Sequence, residues 1–417
     1  MAKIRDSRIE LLRIVLMWTV MAHHFVVHNA DSVSVFPGSF TRFFYNIFFY
    51  PIGRTAVGCF VAITIWFVAG KAGYSIKQAV KQIASIEGTV LFYSIALGFF
   101  FMLRGDIQVS PTNLIDIFAP ILTGSSWWFV TVYAWLVFLL PFLIPALHAL
   151  DQKLHLYLSI FLVFAFGFLR YVPLFWIPID GLLVDFIIIC VLVCYIRWYV
   201  DLSTVNIRHL VACCIASFVG VAISFYGQFH FDGLLGSTFA NLYNGFFGSP
   251  ASIFSLVIAI SVLLIDLKMP HFSSRFVNTV AKLCFATYLI SDYGPIQSWL
   301  WSSQFPFTRV GVGLGMLQVL LVPTAVFTIC LMLEGLRKLL IGFIIRFIGP
   351  FDLLNKTSVY KGYKRDKIEM RGDRAEMSDF PLYLNTVAGG LDRRDQTIGG
   401  FSFVVKIYAV PVVEIIG

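Results

Sequence analysis

Charge is scarce in this chain: Asp, Glu, Lys and Arg make up only 13% of its 417 residues, where soluble domains carry roughly 25%. No charge-rich block interrupts the apolar runs before about residue 355, so a water-soluble globular domain is excluded there. The glycine-rich G-x-x-x-x-G-K-[ST] phosphate loop is missing, and so is any internal repeat, which removes P-loop chemistry and solenoid folds. Cysteine makes no framework: Cys59, Cys190, Cys194, Cys213, Cys214, Cys284 and Cys330 all fall inside apolar runs, where the thiol behaves as a small hydrophobe. No C-x-x-C and no Cys/His ligand spacing stands out, so no metal site is expected. The first apolar run lacks a small-residue cleavage site and reads as a retained span. The formal charge of +8 does not point to nucleic acid, because the basic residues sit in short segments beside apolar spans.

What the chain does have is hydrophobic length: 59% of it is apolar, with 43 Phe. A helix needs about 20 mostly apolar residues to cross the hydrocarbon core. Spans are expected near 9–29, 54–70, 84–103, 127–147, 154–171, 179–199, 208–226, 251–267, 279–300 and 313–335. The fold class is therefore all-α, a polytopic integral membrane protein with about ten transmembrane helices. Phe43 to Tyr50 and Asn113 to Leu122 read as interfacial segments, apolar but too short to cross.

With the N-terminus taken as cytoplasmic, the inner segments hold Lys3, Arg5, Arg8, Arg13, Lys71, Lys77, Lys81, Lys153, Arg197, Arg208, Lys268, Arg275 and Lys282. The outer ones hold Arg42, Arg54, Arg104, Arg170 and Arg309, and the longest outer loop, Tyr226 to Pro250, has no Lys or Arg at all. Thirteen against five predicts an N-in, C-in arrangement. The chain divides into a membrane domain, 1–354, and a tail, 355–417. The tail is dense in mixed charge over KGYKRDKIEMRGDRAEMSD and is expected to be cytoplasmic and mobile. Its closing run, FSFVVKIYAVPVVEIIG, is too short and interrupted for a further span.

The stretch RIELLRIVLMWTVMAHHF, Arg8 to Phe25, carries ionisable groups at both ends of an apolar helix, an arrangement that is expensive in a membrane. Arg13 and His24 are eleven residues apart, so on a helix they lie within about 20° of one another, with Glu10 within about 40° of His24. His23 is turned by about 100° and is expected to face elsewhere. The rise per residue separates Arg13 from His24 by about 16 Å. That geometry suits a long ligand with an anionic head, held by the Arg13 guanidinium, and a reactive tail beside His24 as base. A basic border residue and an interfacial His would account for the same letters.

Arg-x10-His on a first span, spelled I-E-L-L-R-I…A-H-H-F, resembles the membrane-bound acyltransferase 3 family, and within it the bacterial branch that O-acetylates surface polysaccharides. Three further stretches carry the resemblance. GRTAVGCFVAITIWF is similar to the family's second span, G-[RK]-x-G-V-[ND]-x-F-x-x-I-S-G-Y-F. SSWWFVTVYAWLVFLLPFL is similar to its W-F-x-x-x-Y-x-x-x-x-L-x-P-F segment on Trp128, Phe129, Tyr133 and Pro141. LCFATYLISDYGPIQSWLW is similar to its late G-V-Y-L-I-H segment. The matches run in order from the N-terminus to about residue 350. Gly58 stands where the family has Asn or Asp, Ile65 where it has Gly, and Ser291 where a His is common.

The resemblance implies a cytoplasmic acetyl-CoA, or another short acyl-CoA, as co-substrate, with no permanently bound cofactor. It also implies the hydroxyl of an exported or lipid-linked polysaccharide as acceptor, and a bacterial inner or plasma membrane, with its lipid, as the setting. The pantetheine arm of CoA is of the same order as the Arg13–His24 separation. His24 then takes the acceptor's proton, or forms an acyl-imidazole; both routes need the neutral ring, so activity falls as His24 protonates in acid. Lys77 and Lys81, four apart, are candidates for CoA phosphates against ordinary positive-inside charge. Arg54 is a candidate oxyanion stabiliser against an interfacial anchor, and Glu10 a candidate ion-pair partner that orients Arg13. Trp128 and Tyr133 are candidate sugar platforms, with the Trp127–Trp128–Tyr133 cluster read first as an interface anchor. Glu87 is expected to snorkel, and Asp185 to need a partner in Arg170 or His230. The rival readings are a glycan transporter or flippase, and a sensor that binds the donor without turning it over.

Overall fold

The computed structural model describes residues 6–29, 43–71, 73–177, 180–305 and 312–348, and among these it contains helices and no strand. The tail 355–417 lies outside the described residues. In chain order the helices are α1 (Ser7–Val27), α2 (Ile52–Ala69), α3 (Ile76–Arg104), α4 (Pro111–Phe118), α5 (Pro120–Thr123), α6 (Trp128–His148) and α7 (Gln152–Gly167). They continue with α8 (Leu182–Tyr199), α9 (Ile207–His230), α10 (Gly233–Gly248), α11 (Ile253–Lys268), α12 (Arg275–Ser291), α13 (Gly294–Gln297) and α14 (Val312–Ile348). Among the described residues, eight helical segments are long and apolar enough to cross a membrane. The pair Gly233–Gly248 and Ile253–Lys268, bent by 41°, makes a ninth.

The differences from the expected spans have local causes. Phe43 to Tyr50 is not a separate interfacial piece: a π-helical turn at Tyr45–Phe49 runs into α2. Tyr226 to Pro250 is not a loop, because α9 continues to His230 and α10 follows after a two-residue break. The run 279–300 does not continue as one helix. α12 stops at Ser291, with Asp292 as its C-cap, and Gly294–Pro295 opens a new short turn before the π-helical Ser298–Gln304. Pro cannot donate to the preceding turn, so a Gly-Pro pair ends a helix even where hydropathy stays high.

α1 lies against α2 and α12, and α2 also packs on α8 and α11. This central helix begins on a built N-terminus: Asp6 accepts from the Arg8 backbone N–H, satisfying an otherwise orphaned donor. The Arg8 guanidinium reaches the end of α11, donating to the carbonyls of Leu267 at 3.0 Å and of Met269. Ser7 Oγ donates to Asn278 Oδ1 at 3.0 Å, which ties the start of α1 to α12. At the other end, Asn29 donates to Phe25 O at 2.8 Å and Trp301 O at 3.0 Å, securing α1 to the segment beyond α13. Both ends of α1 are thereby held against the elements that frame the site.

Asp185, in the first turn of α8, is 1% exposed and takes Arg170 Nη1 at 3.0 Å and Ser249 Oγ at 2.7 Å. Arg170 is thus its partner, and His230 is not: its ring turns back to Tyr226 O at 2.8 Å.

Candidate active site

A cavity of about 1050 Å³ opens beside α1. Arg13, Met17, Val20, His24 and His28 form one of its walls. Their spacing of three, four and seven residues is one face of a helix. Arg13 and His24 therefore share a single chamber, three turns apart on an unbroken helix. Glu10, 5% exposed, pairs with Arg13 (Nη1 to Oε1, 2.9 Å), which fixes the guanidinium while other N–H groups stay available.

His23 does not face away from the site. It also contributes to the cavity wall, and its ring lies across the first turn of α2, with Nδ1 3.3 Å from Phe49 O. The ring fits because residue 53 is glycine: a Cβ there would run into the imidazole. A single methyl decides whether α1 and α2 can approach this closely.

Arg54, the next residue, projects into the cavity and stacks on Trp128, with Cζ 3.9 Å from the ring centroid. Its Nη1 is enclosed and makes no hydrogen bond. The stacking holds the plane of the guanidinium and leaves a donor without an acceptor in a buried place, where that is costly. Trp127 is 1% exposed and packs on Tyr293, so the structure makes it a core residue and not an interface anchor. Trp128 and Tyr133 line the cavity; Tyr133 is tethered by Gln82 Nε2 at 2.9 Å and meets Thr64 Oγ1 at 3.1 Å.

Lys77 and Lys81 are not in the cavity wall; both are exposed on the first turns of α3. The wall begins one turn later, at Ser85 and Thr89. Four-residue steps make Lys81 the neighbour of Ser85 and Lys77 the neighbour of Lys81, so the lysines continue that row, with a slow drift around the helix, beyond the chamber. Glu87, on the same helix, is half-buried, with Oε2 enclosed and unbonded.

The structure adds residues that the sequence reading missed. Asp292, 8% exposed, places Oδ1 3.4 Å from His24 Nδ1. Gln297 Nε2 holds the same oxygen at 2.6 Å. The ring of His28 stands 5.6 Å from that of His24. His24, His28 and Asp292 together offer three ligand atoms all within 4.8 Å of one another, a set able to hold a divalent ion such as zinc. The four-residue spacing of His24 and His28, which puts two imidazoles on one helix face, is the signal in the sequence that points to this set. Ser291, standing where the resemblance has a His, is fully buried with its hydroxyl unbonded; its neighbour supplies the polar group.

Helices of membrane length, with ionisable residues gathered around one chamber, define a multi-pass membrane protein with a polar cavity among its helices. The acyltransferase 3 family model, an acyltransferase domain, matches residues 6–334, and the chain belongs to that family. No curated protein and no solved structure matches it. Family membership makes the protein an acyltransferase that delivers its group to a hydroxyl.

Proposed function

We propose that the protein transfers an acetyl or other short acyl group from acyl-CoA to a hydroxyl of a cell-surface or lipid-linked polysaccharide. The observation that carries this reading is the shared chamber: Arg13, His24 and Arg54 all face it, with Arg13 and His24 three helical turns apart. The donor enters from the cytoplasmic side of a bacterial inner membrane, with the N-terminus inside and Arg13 toward the CoA nucleotide. Lys77 and Lys81 extend the basic approach outside the chamber, where the nucleotide phosphates remain. The thioester then lies near His24, about 16 Å along the helix.

His24 takes the proton of the acceptor hydroxyl as its oxygen attacks the thioester carbonyl. The C–O bond forms, the C–S bond breaks, and the proton passes from His24 to the departing CoA thiolate. Arg54 offers its unbonded Nη1 to the oxyanion of the tetrahedral intermediate, and its stacking on Trp128 keeps that donor aimed before the reaction begins. Trp128 and Tyr133 give the acceptor an aromatic wall with a hydroxyl.

The test is proton NMR of surface polysaccharide from source cells making the intact protein, His24→Ala or Arg13→Gln, at equal membrane abundance. O-acetyl signals present with the intact protein, lost with His24→Ala and reduced with Arg13→Gln support the reading. Unchanged acetylation with His24→Ala removes His24 as the base. Loss of the glycan itself from the surface when the protein is absent replaces the reading with a flippase.

A further inference from the structure

We propose that Asp292 is the positioning residue of the reaction centre: its carboxylate fixes the tautomer of His24 and stabilises the imidazolium formed when His24 accepts a proton. The inference rests on the acyl-transfer reading above. Four observations carry it.

His24 Nδ1 is completely enclosed and has no hydrogen-bond partner, yet Asp292 Oδ1 lies only 3.4 Å away. With Nδ1 enclosed and the ring in the cavity wall, Nε2 is the nitrogen left to meet substrate. A proton on Nδ1, shared with a carboxylate, keeps the Nε2 lone pair available as base. Hydrogen bonds of this kind are commonly long in the absence of substrate and tighten when it binds.

Asp292 is itself restrained. Gln297 donates to Oδ1 at 2.6 Å from the turn that follows the Gly294–Pro295 break. The carboxylate sits at the C-cap of α12, where the chain leaves the helix, so its position is set by the break. Finally, the other charged or titratable groups around His24 are His23 and His28 on its own helix, Arg54 from α2 and Tyr288 from α12. None of them is an anion at neutral pH, which leaves Asp292 as the one carboxylate in ion-pair reach of the ring among the described residues.

Two measurements test the assignment. The first is solid-state NMR of protein labelled with ¹⁵N-histidine in lipid nanodiscs, with His24→Gln identifying the His24 signals. The intact protein is expected to show Nδ1–H and a bare Nε2, and Asp292→Asn to shift the population toward Nε2–H. The second is transfer of labelled acetyl from acetyl-CoA in membranes of source cells that lack their own copy of the gene. Asp292→Asn should lower kcat by about 10²- to 10⁴-fold with KM for acetyl-CoA unchanged. Asp292→Glu should recover part of the rate, and Gln297→Leu should lose about tenfold.

A merely structural carboxylate would change protein abundance and leave the tautomer and the kcat/KM split alone. A bare Nδ1 on His24 in the intact protein overturns the proposal even if Asp292→Asn fails to fold. An unchanged kcat in folded Asp292→Asn overturns it as well. So does one tightly bound metal per intact protein, lost in both His28→Ala and Asp292→Asn, because the cluster is then a metal centre. No label transferred by the intact protein defeats the acyl-transfer reading instead, while the tautomer measurement still decides the role of Asp292.

Discussion

Replacing Gly53 by alanine tests the packing that brings α1 and α2 together beside the cavity. In an ordinary helix this change is stabilising, by up to about 1 kcal/mol, because alanine loses less backbone freedom. Here the new methyl would occupy the space of the His23 ring, overlapping Cδ2, Cγ and Nε2. His23 borders the cavity on one side but is only 8% exposed, with its Nδ1 facing Phe49 O and the Phe247 ring 5.8 Å from its own, so a shift of the ring gives up those contacts. Overpacking of a filled site costs about 1–3 kcal/mol. Since the helix preference acts in the opposite direction, the sign of the effect is itself diagnostic. Heating the detergent-solubilised protein and following the folded monomer by size exclusion should show Gly53→Ala melting a few degrees lower. The double variant Gly53→Ala/His23→Ala should recover most of that loss, since the methyl then finds space, and the coupling between the sites should exceed about 0.5 kcal/mol. A Gly53→Ala protein as stable as the parent, or a double variant no better than the sum of the singles, would refute the contact.

Three other outcomes follow from the geometry. Arg54→Leu keeps a side chain on Trp128 but removes the proposed oxyanion donor, so kcat for the proposed acetyl transfer should fall about 10²- to 10³-fold with KM for acetyl-CoA nearly constant. Arg170→Met strands the buried Asp185 carboxylate, which should destabilise the protein by about 3–5 kcal/mol in thermal unfolding; Arg170→Met with Asp185→Asn should be milder. At the start of α1, the Arg8 guanidinium holds the Asp6 carboxyl down from its usual 3.8 to about 2. A lowered carboxylate pKa contributes stability above the ordinary value and loses it as pH falls toward the folded one. The parent's stability should therefore drop between about pH 4 and 2 more steeply than that of Asp6→Asn, read as folded fraction against pH.

The helical membrane class was legible from hydropathy because a bilayer leaves helices as the economical way to satisfy the backbone. The face shared by Arg13, Glu10 and His24 was legible for a related reason. It depends on one uninterrupted helix, and a local 3.6-residue repeat needs no knowledge of neighbours. Arg170 as the partner of Asp185 was foreseeable in kind, since a buried carboxylate demands a cation or a donor.

What the letters could not show is everything that depends on two elements meeting. Asp292 was hidden because the apolar run 279–300 reads as one helix, and only the fold places its break beside His24, 268 residues earlier in the chain. His23 was misassigned because angle around one axis says nothing about a neighbouring helix whose Gly53 lets the ring approach. Trp127 looked like an interface residue until packing enclosed it against Tyr293, and only the course of α3 showed that Lys77 and Lys81 lie beyond the chamber wall. The sequence by itself determined the solvent this protein lives in and the face of its first helix, since both follow from composition and local period. Only the tertiary structure decided which carboxylate meets the histidine and which arginine keeps a donor free, because those depend on distances between helices that no local pattern encodes.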